Sequence, residues 1–199
     1  MDGCCEIRPV HAQQRRVLRV VLWINLGMFV AELVAGLIAH STALLADSVD
    51  MLGDAIVYGF SLYVIARAPL WQHRTALLKG LIMAGFGIGI AAEVASKLAG
   101  GLTPEAGIMW AVAVVALVAN AYVLALLWRR RADDINMRSA WLCSRNDVIA
   151  NGGVLLAALG VGWSGSAWPD ILVGLAIAAL FATSAAGVIR EALASQPSP

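Results

Sequence analysis

The fold is decided between residues 17 and 66, where two long apolar runs follow each other almost without interruption. The first is VLRVVLWINLGMFVAELVAGLIA (17–39) and the second is TALLADSVDMLGDAIVYGFSLYVIA (42–66), with only His40 and Ser41 between them. A bilayer core about 30 Å thick needs about 20 mostly apolar residues in a helix. Each run is long enough, so this stretch predicts two transmembrane helices joined by a very short turn.

Four further apolar runs of similar length complete the chain, at residues 76–98, 108–128, 137–161 and 171–189. Of all residues 60% are hydrophobic and 14% are charged, against roughly 25% charged in soluble domains. The predicted fold class is therefore an all-α integral membrane protein with six transmembrane helices. We expect an N-terminal tail over residues 1–16, a six-helix transmembrane domain over 17–190 and a short C-terminal tail over 191–199.

The positions of the positive charges predict the orientation. Of the 14 Lys and Arg residues, all but Lys97 and Arg145 lie before or at the start of the first run, after the sixth, or beside the second-to-third and fourth-to-fifth links. The positive-inside rule then places both termini in the cytoplasm. We expect a multi-pass protein of the cell membrane, of the bacterial inner-membrane type. Basic residues placed beside hydrophobic spans argue against nucleic-acid binding.

Two of the predicted helices carry ionisable residues at bilayer depth. An acid there costs at least about 2.5–3.5 kcal/mol, yet the second run holds Asp47, Asp50 and Asp54. Their spacing of three and four residues places them on one helical face. Cys143 and Asp147 in the fifth run are four residues apart and also share a face. Each face must therefore contact protein, water or a cation.

These two faces can meet near the middle of the membrane. At about 1.5 Å per residue, Asp54 and Asp147 lie about 18 and 15 Å from the predicted cytoplasmic ends of their helices. If the helices are neighbours, Asp50, Asp54, Cys143 and Asp147 offer three carboxylates and one thiolate to one ion. A thiolate among four ligands favours zinc, cadmium or another thiophilic ion over magnesium or calcium. Metal and protons compete for such ligands, as in a metal–proton exchanger.

Glutamates are also predicted at membrane depth, and their interpretation is open. Glu32 lies in the first run, with Asn25 seven residues before it, and Glu93 lies in the third. These side chains either line a water-filled path or pair with the two basic residues at depth, Arg145 and Lys97. The second interpretation makes them structural.

Other polar residues have weaker assignments. Asn151 continues the face of Cys143 and is predicted as an accessory residue. Asp47 is either an entrance residue or a structural hydrogen-bonding group. The adjacent Cys4 and Cys5 either capture a soft metal or belong to an ordinary tail. Asp170, which follows a proline at the start of the sixth run, is expected to cap that helix or to lie in its first turn.

Two stretches resemble signatures of the cation diffusion facilitator family. Residues 41–54, STALLADSVDMLGD, are similar to its second-helix signature, where His or Asp precedes an Asp by four residues, and Asp50 and Asp54 match. Residues 136–147, NMRSAWLCSRND, resemble its fifth-helix signature, usually His-x-x-x-Asp. Asp147 matches, and Cys143 stands where the family has His. The likeness extends over residues 17–191.

Membership of this family implies six helices, a zinc-type divalent site between the second and fifth, and efflux from the cytoplasm driven by inward proton movement. It also implies a homodimer. The family's usual cytoplasmic C-terminal domain and long His-rich loop are expected to be absent, which makes this a short form. The cysteine at position 143 moves the expected preference toward softer ions such as cadmium.

The leading hypothesis is an exporter of divalent transition metals, zinc first and cadmium or another soft ion next. The metal is then transported, and no cofactor is expected. The alternative is a membrane metal sensor or partner subunit that binds metal without transporting it. We do not expect an enzyme, because no predicted span contains a His or pairs one with a Ser for hydrolysis.

Overall fold

The computed structural model describes residues 12–63, 85, 87–100, 102–129, 131 and 135–194. These residues are helical almost throughout and contain no strand, which confirms the predicted all-α class for this part of the chain. Cys4, Cys5, the first part of the predicted third span and the last five residues lie outside it. The helices are α1 (Ala12–Ala39), α2 (Thr42–Tyr63), α3 (87–98), α4 (Ala106–Trp128), α5 (Ile135–Ser164) and α6 (Trp168–Ala194).

Among the described residues, three helical stretches are long and apolar enough to cross a membrane: Arg15–Ala39, Ala106–Trp128 and Ala140–Ser164. Trp168–Leu180 is a shorter apolar stretch. Helix α2 has 22 residues, but three of them are aspartates. Six crossings and cytoplasmic termini therefore stay predictions.

Large apolar side chains are exposed on the outer surfaces of the helices. Leu37 of α1, Val118 of α4, Leu156 of α5 and Leu180 of α6 are each 59–69% exposed. Extended apolar surface of this kind is unfavourable in water and marks contact with a membrane or a partner. The distribution fits helices that present their outer sides to lipid.

Helix α2 lies at the centre of the packing. It contacts α1, α5 and α6, while α4 packs against α5 and α1. The neighbourhood of α2 and α5, which the predicted metal site requires, is thereby confirmed. Small side chains such as Ala43, Ala157 and Ala158 are buried in the shared core, so the helices can approach closely.

The turn between α1 and α2 is closed by local hydrogen bonds. His40 has a φ of 50°, and the Ser41 amide donates to the Gly36 carbonyl over 2.9 Å, as in helices that end in a left-handed residue. The Ser41 hydroxyl then accepts from the Leu44 amide over 3.1 Å and caps α2. Asp170 lies in the first turn of α6, which confirms one of the two expectations for it, but the helix that it caps is α2. Its carboxylate accepts from the first two amides of α2.

Candidate metal centre

The acidic face of α2 is directed into the protein. Asp47 has no exposed surface, Asp54 is 6% exposed and Asp50 is half-buried. The helix runs unbroken from Thr42 to Tyr63, so the three aspartates keep the helical spacing that the sequence predicts. This face lies in the helix that α1, α5 and α6 surround.

Helix α5 buries the complementary residues. Cys143, Asp147 and Asn151 are 7%, 2% and 0% exposed. Arg145 is exposed, and its guanidinium lies 5.7 Å from the ring centre of Trp141. The basic side chain therefore points away from the face that carries the cysteine and the aspartate, as the helical period predicts.

Tyr58, which is not among the predicted site residues, connects α2 to α5 beside these acids. Its hydroxyl donates to Asp54 Oδ2 over 2.9 Å and lies 3.5 Å from the Ala140 carbonyl oxygen of α5. The residue is 3% exposed. A signal was present in the sequence, because Tyr58 follows Asp54 by four residues and so shares its face. Its hydroxyl holds one oxygen of a predicted metal ligand.

The predicted ligands do not form a coordination shell in this structure. In the described part of the chain, no three His, Cys, Asp or Glu side chains are arranged to hold one metal ion together. Their helices are in contact, but closer convergence would be required for shared coordination. The ligand set of Asp50, Asp54, Cys143 and Asp147 therefore stays a prediction.

Buried oxygen acceptors are abundant on α1, α2 and α5. Within the described ranges, both carboxylate oxygens of Glu32 and of Asp47, and Oδ2 of Asp147, have no hydrogen-bond partner. The amide groups of Asn25 and Asn151 each donate over 2.9 Å to a carbonyl one turn earlier. Their own side-chain oxygens also have no partner among these residues. Buried acceptors are unfavourable until a donor or cation meets them, so this interior is suited to cations.

The basic residues at depth do not neutralise these acids. Lys97 forms an ion pair with Asp170 over 2.5 Å, and Arg145 is exposed beside an aromatic ring. Among the described residues, Glu32 and Asp47 have no hydrogen-bond donor. Of the two interpretations of Glu32, the geometry favours a path-lining acid over an ion pair. For Asp47, it gives no support to a structural hydrogen bond.

Helix α4 contributes one buried polar residue that is not among the predicted site residues. Asn120 has no exposed surface, and its amide donates to the Met51 sulfur of α2 over 3.8 Å. The signal was a lone amide near the middle of an otherwise apolar span, where polar residues tend to be functional. It brings α4 into contact with the helix that carries the predicted ligands.

Comparison with known sequences gives a consistent result. The family model described as the cation efflux transmembrane domain matches residues 18–195. The chain is 28% identical over 176 residues to the metal cation efflux system protein CzcD of Cupriavidus metallidurans, an alignment covering 80% of the chain and 56% of that protein. It is 29% identical over 198 residues to the zinc transporter ZitB of Escherichia coli, covering 93% and 63%.

A third relative is the cadmium, cobalt and zinc/H(+)-K(+) antiporter of Bacillus subtilis. It is 22% identical over 193 residues, which is 90% of this chain and 62% of the relative. The chain thus spans 56–63% of the length of these three proteins.

Proposed function

The chain belongs to the cation diffusion facilitator family, and on that basis we propose that it exports divalent transition-metal ions from the cytoplasm. Zinc is the first candidate, and cadmium or another soft ion is the second. The observation that carries the proposal is the buried, acceptor-rich and donor-poor interior beside the contact between α2 and α5. A bound cation would stabilise these buried acceptors, which are unfavourable while they lack a partner.

In the proposed mechanism, Asp50 and Asp54 of α2 and Cys143 and Asp147 of α5 bind the transported ion. Carboxylates and a thiolate replace part of its hydration shell, and its charge offsets theirs. The Tyr58 hydroxyl orients the Asp54 carboxylate by holding Oδ2. The side chains must converge to coordinate one ion, so binding is coupled to an approach of α2 and α5.

Release follows from competition between metal and protons. Protons arriving from the outer side take up the ligand oxygens, and the metal leaves when its ligands are protonated. Alternating exposure of the site to the two sides of the membrane then makes the exchange directional. Glu32, Asp47, Asn25 and Asn151 are proposed to line the route as accessory residues, because they are buried in α2 and α5, which carry the ligands, and in α1, which packs against α2.

We place the protein in the cell membrane as a multi-pass protein, of the bacterial inner-membrane type, and propose that it assembles as a homodimer. Similarity to bacterial efflux proteins supports the location. Chemical cross-linking in native membranes, followed by mass determination after solubilisation, tests the assembly. A single monomeric species at all protein concentrations would rule out the dimer.

The transport proposal is tested in proteoliposomes loaded with a zinc-sensitive dye. With an imposed pH gradient, the wild-type protein should move zinc, and an ionophore that collapses the gradient should stop it. Asp54→Asn and Asp147→Asn each remove one proposed ligand charge and should abolish uptake. Glu105→Gln is the matched control, because Glu105 is exposed and makes no side-chain cap hydrogen bond.

Two results would overturn the assignment. If Asp54→Asn and Asp147→Asn both transport at the wild-type rate, the proposed ligand set is wrong. If the wild-type protein binds zinc in titration but never moves it, the chain is a metal sensor or partner subunit.

A further inference from the structure

A charged cluster is buried where α2 begins, α3 ends and α6 begins. It consists of Asp170 of α6, Lys97 of α3, and Ser41 and Thr42 at the start of α2. We call it the Asp170 clamp. The side chains of Lys97 and Asp170 are 2% and 0% exposed. It lies at the start of α2, about 18 Å along the helix axis from Asp54 and outside the proposed metal centre.

Four polar contacts in the clamp converge on the Asp170 carboxylate. Oδ1 accepts from the Ser41 hydroxyl over 2.6 Å and from the Ala43 amide over 3.0 Å. Oδ2 accepts from the Thr42 amide over 2.8 Å and from Lys97 Nζ over 2.5 Å. Lys97 Nζ also donates to Thr42 Oγ1 over 2.8 Å. Each carboxylate oxygen thus has two donors.

This arrangement is a helix cap supplied from a distant part of the chain. The amides of Thr42 and Ala43 are the first two of α2 and have no partner within their own helix. A carboxylate at this end meets both their hydrogen-bonding need and the positive end of the helix dipole. Asp170 is 128 residues away from Thr42 in sequence, so the cap fastens α2 to α6. Lys97 of α3 neutralises the charge of the Asp170 carboxylate and so attaches α3 to the same cluster.

The backbones of α2 and α6 are also in close contact at the clamp. A Cβ built on Gly174, one turn after Asp170, would lie 2.7 Å from Thr42 Cγ2 and 2.9 Å from the Thr42 carbonyl carbon. The absence of a side chain therefore permits the approach that brings the carboxylate onto the amides. Hydrogen bonds and packing together fix the start of α2 relative to α6, both along the axis of α2 and in rotation about that axis.

We propose that Asp170 is a positioning residue for the metal-binding carboxylates of α2, an inference that rests on the proposed export function. Helix α2 is continuous, so its start sets the position of everything along it. Asp50 and Asp54 lie about 12 and 18 Å along the axis from Thr42. A slip of one residue moves both by about 1.5 Å and turns them by about 100°. Either change would take them out of line with α5.

The proposal separates the cap from the ion pair. Positioning requires an acceptor at residue 170, because the donors of α2 are backbone N–H groups, which no substitution of a side chain turns into acceptors. Lys97 supplies charge and bonds the Thr42 side chain, but it does not bond the backbone amides of α2 that Asp170 caps. Exchanging the charges with Lys97→Asp/Asp170→Lys restores opposite charges yet places an ammonium group against two amide donors. The exchanged pair should therefore fail to restore function.

The test uses the full chain, purified in detergent, with two measurements. Isothermal titration gives the zinc dissociation constant, and hydrogen exchange with mass spectrometry gives the protection of the Thr42 and Ala43 amides. The two amides donate to different oxygens of Asp170, and Asp170→Asn replaces one of these oxygens by an NH2 group that cannot accept. The variant should therefore speed the exchange of at least one amide and weaken zinc binding by roughly tenfold or more, the scale of losses when supporting residues of metal sites are removed. Lys97→Met should weaken binding less and keep those amides protected. Glu105→Gln, at a helix start without a side-chain cap, should match the wild type.

Two outcomes overturn the positioning role while export stands. In the first, Asp170→Asn exposes the amides but binds zinc as tightly as the wild type. In the second, the charge exchange restores wild-type affinity, which would show that the ion pair matters and the cap does not. If Asp170→Asn does not yield folded protein, Ser41→Ala replaces it. That variant removes one of the four donors and should show a smaller loss in the same direction, and an unchanged zinc affinity would equally overturn the role.

The failure of the proposed function is seen separately. If Asp54→Asn abolishes zinc binding and Asp170→Asn leaves it intact, only the positioning role is lost. If the wild-type protein binds no zinc, both proposals fall.

Discussion

Gly174→Ala adds one methyl group where α6 touches the first turn of α2. Its Cβ would lie 2.7 Å from Thr42 Cγ2, 2.9 Å from the Thr42 carbonyl carbon and 3.0 Å from the Ala43 nitrogen. The backbone atoms cannot rotate away, and Thr42 is held through Oγ1 by Lys97. Carbon atoms in contact settle at about 3.5–4.0 Å, so relieving the 2.9 Å contact with the Thr42 carbonyl carbon alone requires α6 to move about 0.6–1.1 Å away from α2.

Overpacking of this kind costs about 1–3 kcal/mol. Gly27→Ala in α1 is the matched control, because nothing lies within 4 Å of its Cβ position, and alanine in place of a helical glycine gains about 0.5–1 kcal/mol. Gly174 also lies inside a helix, so this gain applies to both variants and cancels in their difference. The two variants should therefore differ by the overpacking cost, about 1–3 kcal/mol, with Gly174→Ala the less stable. At about 2–4 °C per kcal/mol for a chain of this size, their melting temperatures should differ by at least about 2 °C.

Thermal unfolding of the detergent-purified proteins, followed by tryptophan fluorescence, measures this difference. The same displacement weakens the Asp170 clamp, so the Gly174→Ala protein should also lose zinc transport in proteoliposomes. A Gly174→Ala protein that melts as high as Gly27→Ala would refute the close approach of the two helices.

Three further substitutions test the site. Tyr58→Phe removes the hydroxyl that donates to Asp54 and should lower stability by about 1–3 kcal/mol in thermal unfolding. Tyr122→Phe, at an exposed position, should have no measurable effect, and equal melting of the two would contradict a buried role for Tyr58. Cys143→Ser replaces a soft ligand by a hard oxygen and should weaken cadmium binding more than zinc binding in titration; an unchanged order would show that the thiol does not select the ion. Asn120→Leu removes a buried oxygen without a partner among the described residues and should leave the melting temperature equal or higher, whereas a clear drop would show that the amide is required.

The helices were largely predictable because the length of each apolar run can be counted in the sequence. The turn at His40 and Ser41 was placed correctly, and the predicted run 108–128 corresponds to helix Ala106–Trp128. The sixth run was predicted to end at residue 189, but the helix continues to Ala194. The apolar run ends at the first polar residues, whereas the helix continues beyond them because its backbone hydrogen bonds do not depend on hydropathy.

The site was predictable only where helical spacing decides it. Burial of Asp47, Asp54, Cys143 and Asp147 follows from their placement on inward faces. The cap that Asp170 provides to α2 could not be predicted in this way. It joins residues 128 positions apart, and spacing along one helix carries no information about which other helix lies beside it.

The buried acids fall into two groups according to whether the protein itself supplies their donors. Asp170 has four donors on its two oxygens, so it has no capacity left for a transported ion and serves to fasten helices. Asp147 Oδ2 and both oxygens of Glu32 and Asp47 have no donor among the described residues. Burying a carboxylate is costly unless a donor or a cation meets it. The two tasks are therefore assigned to different acids. Asp170 holds α2 in place, and the acids that lack donors can attract a cation.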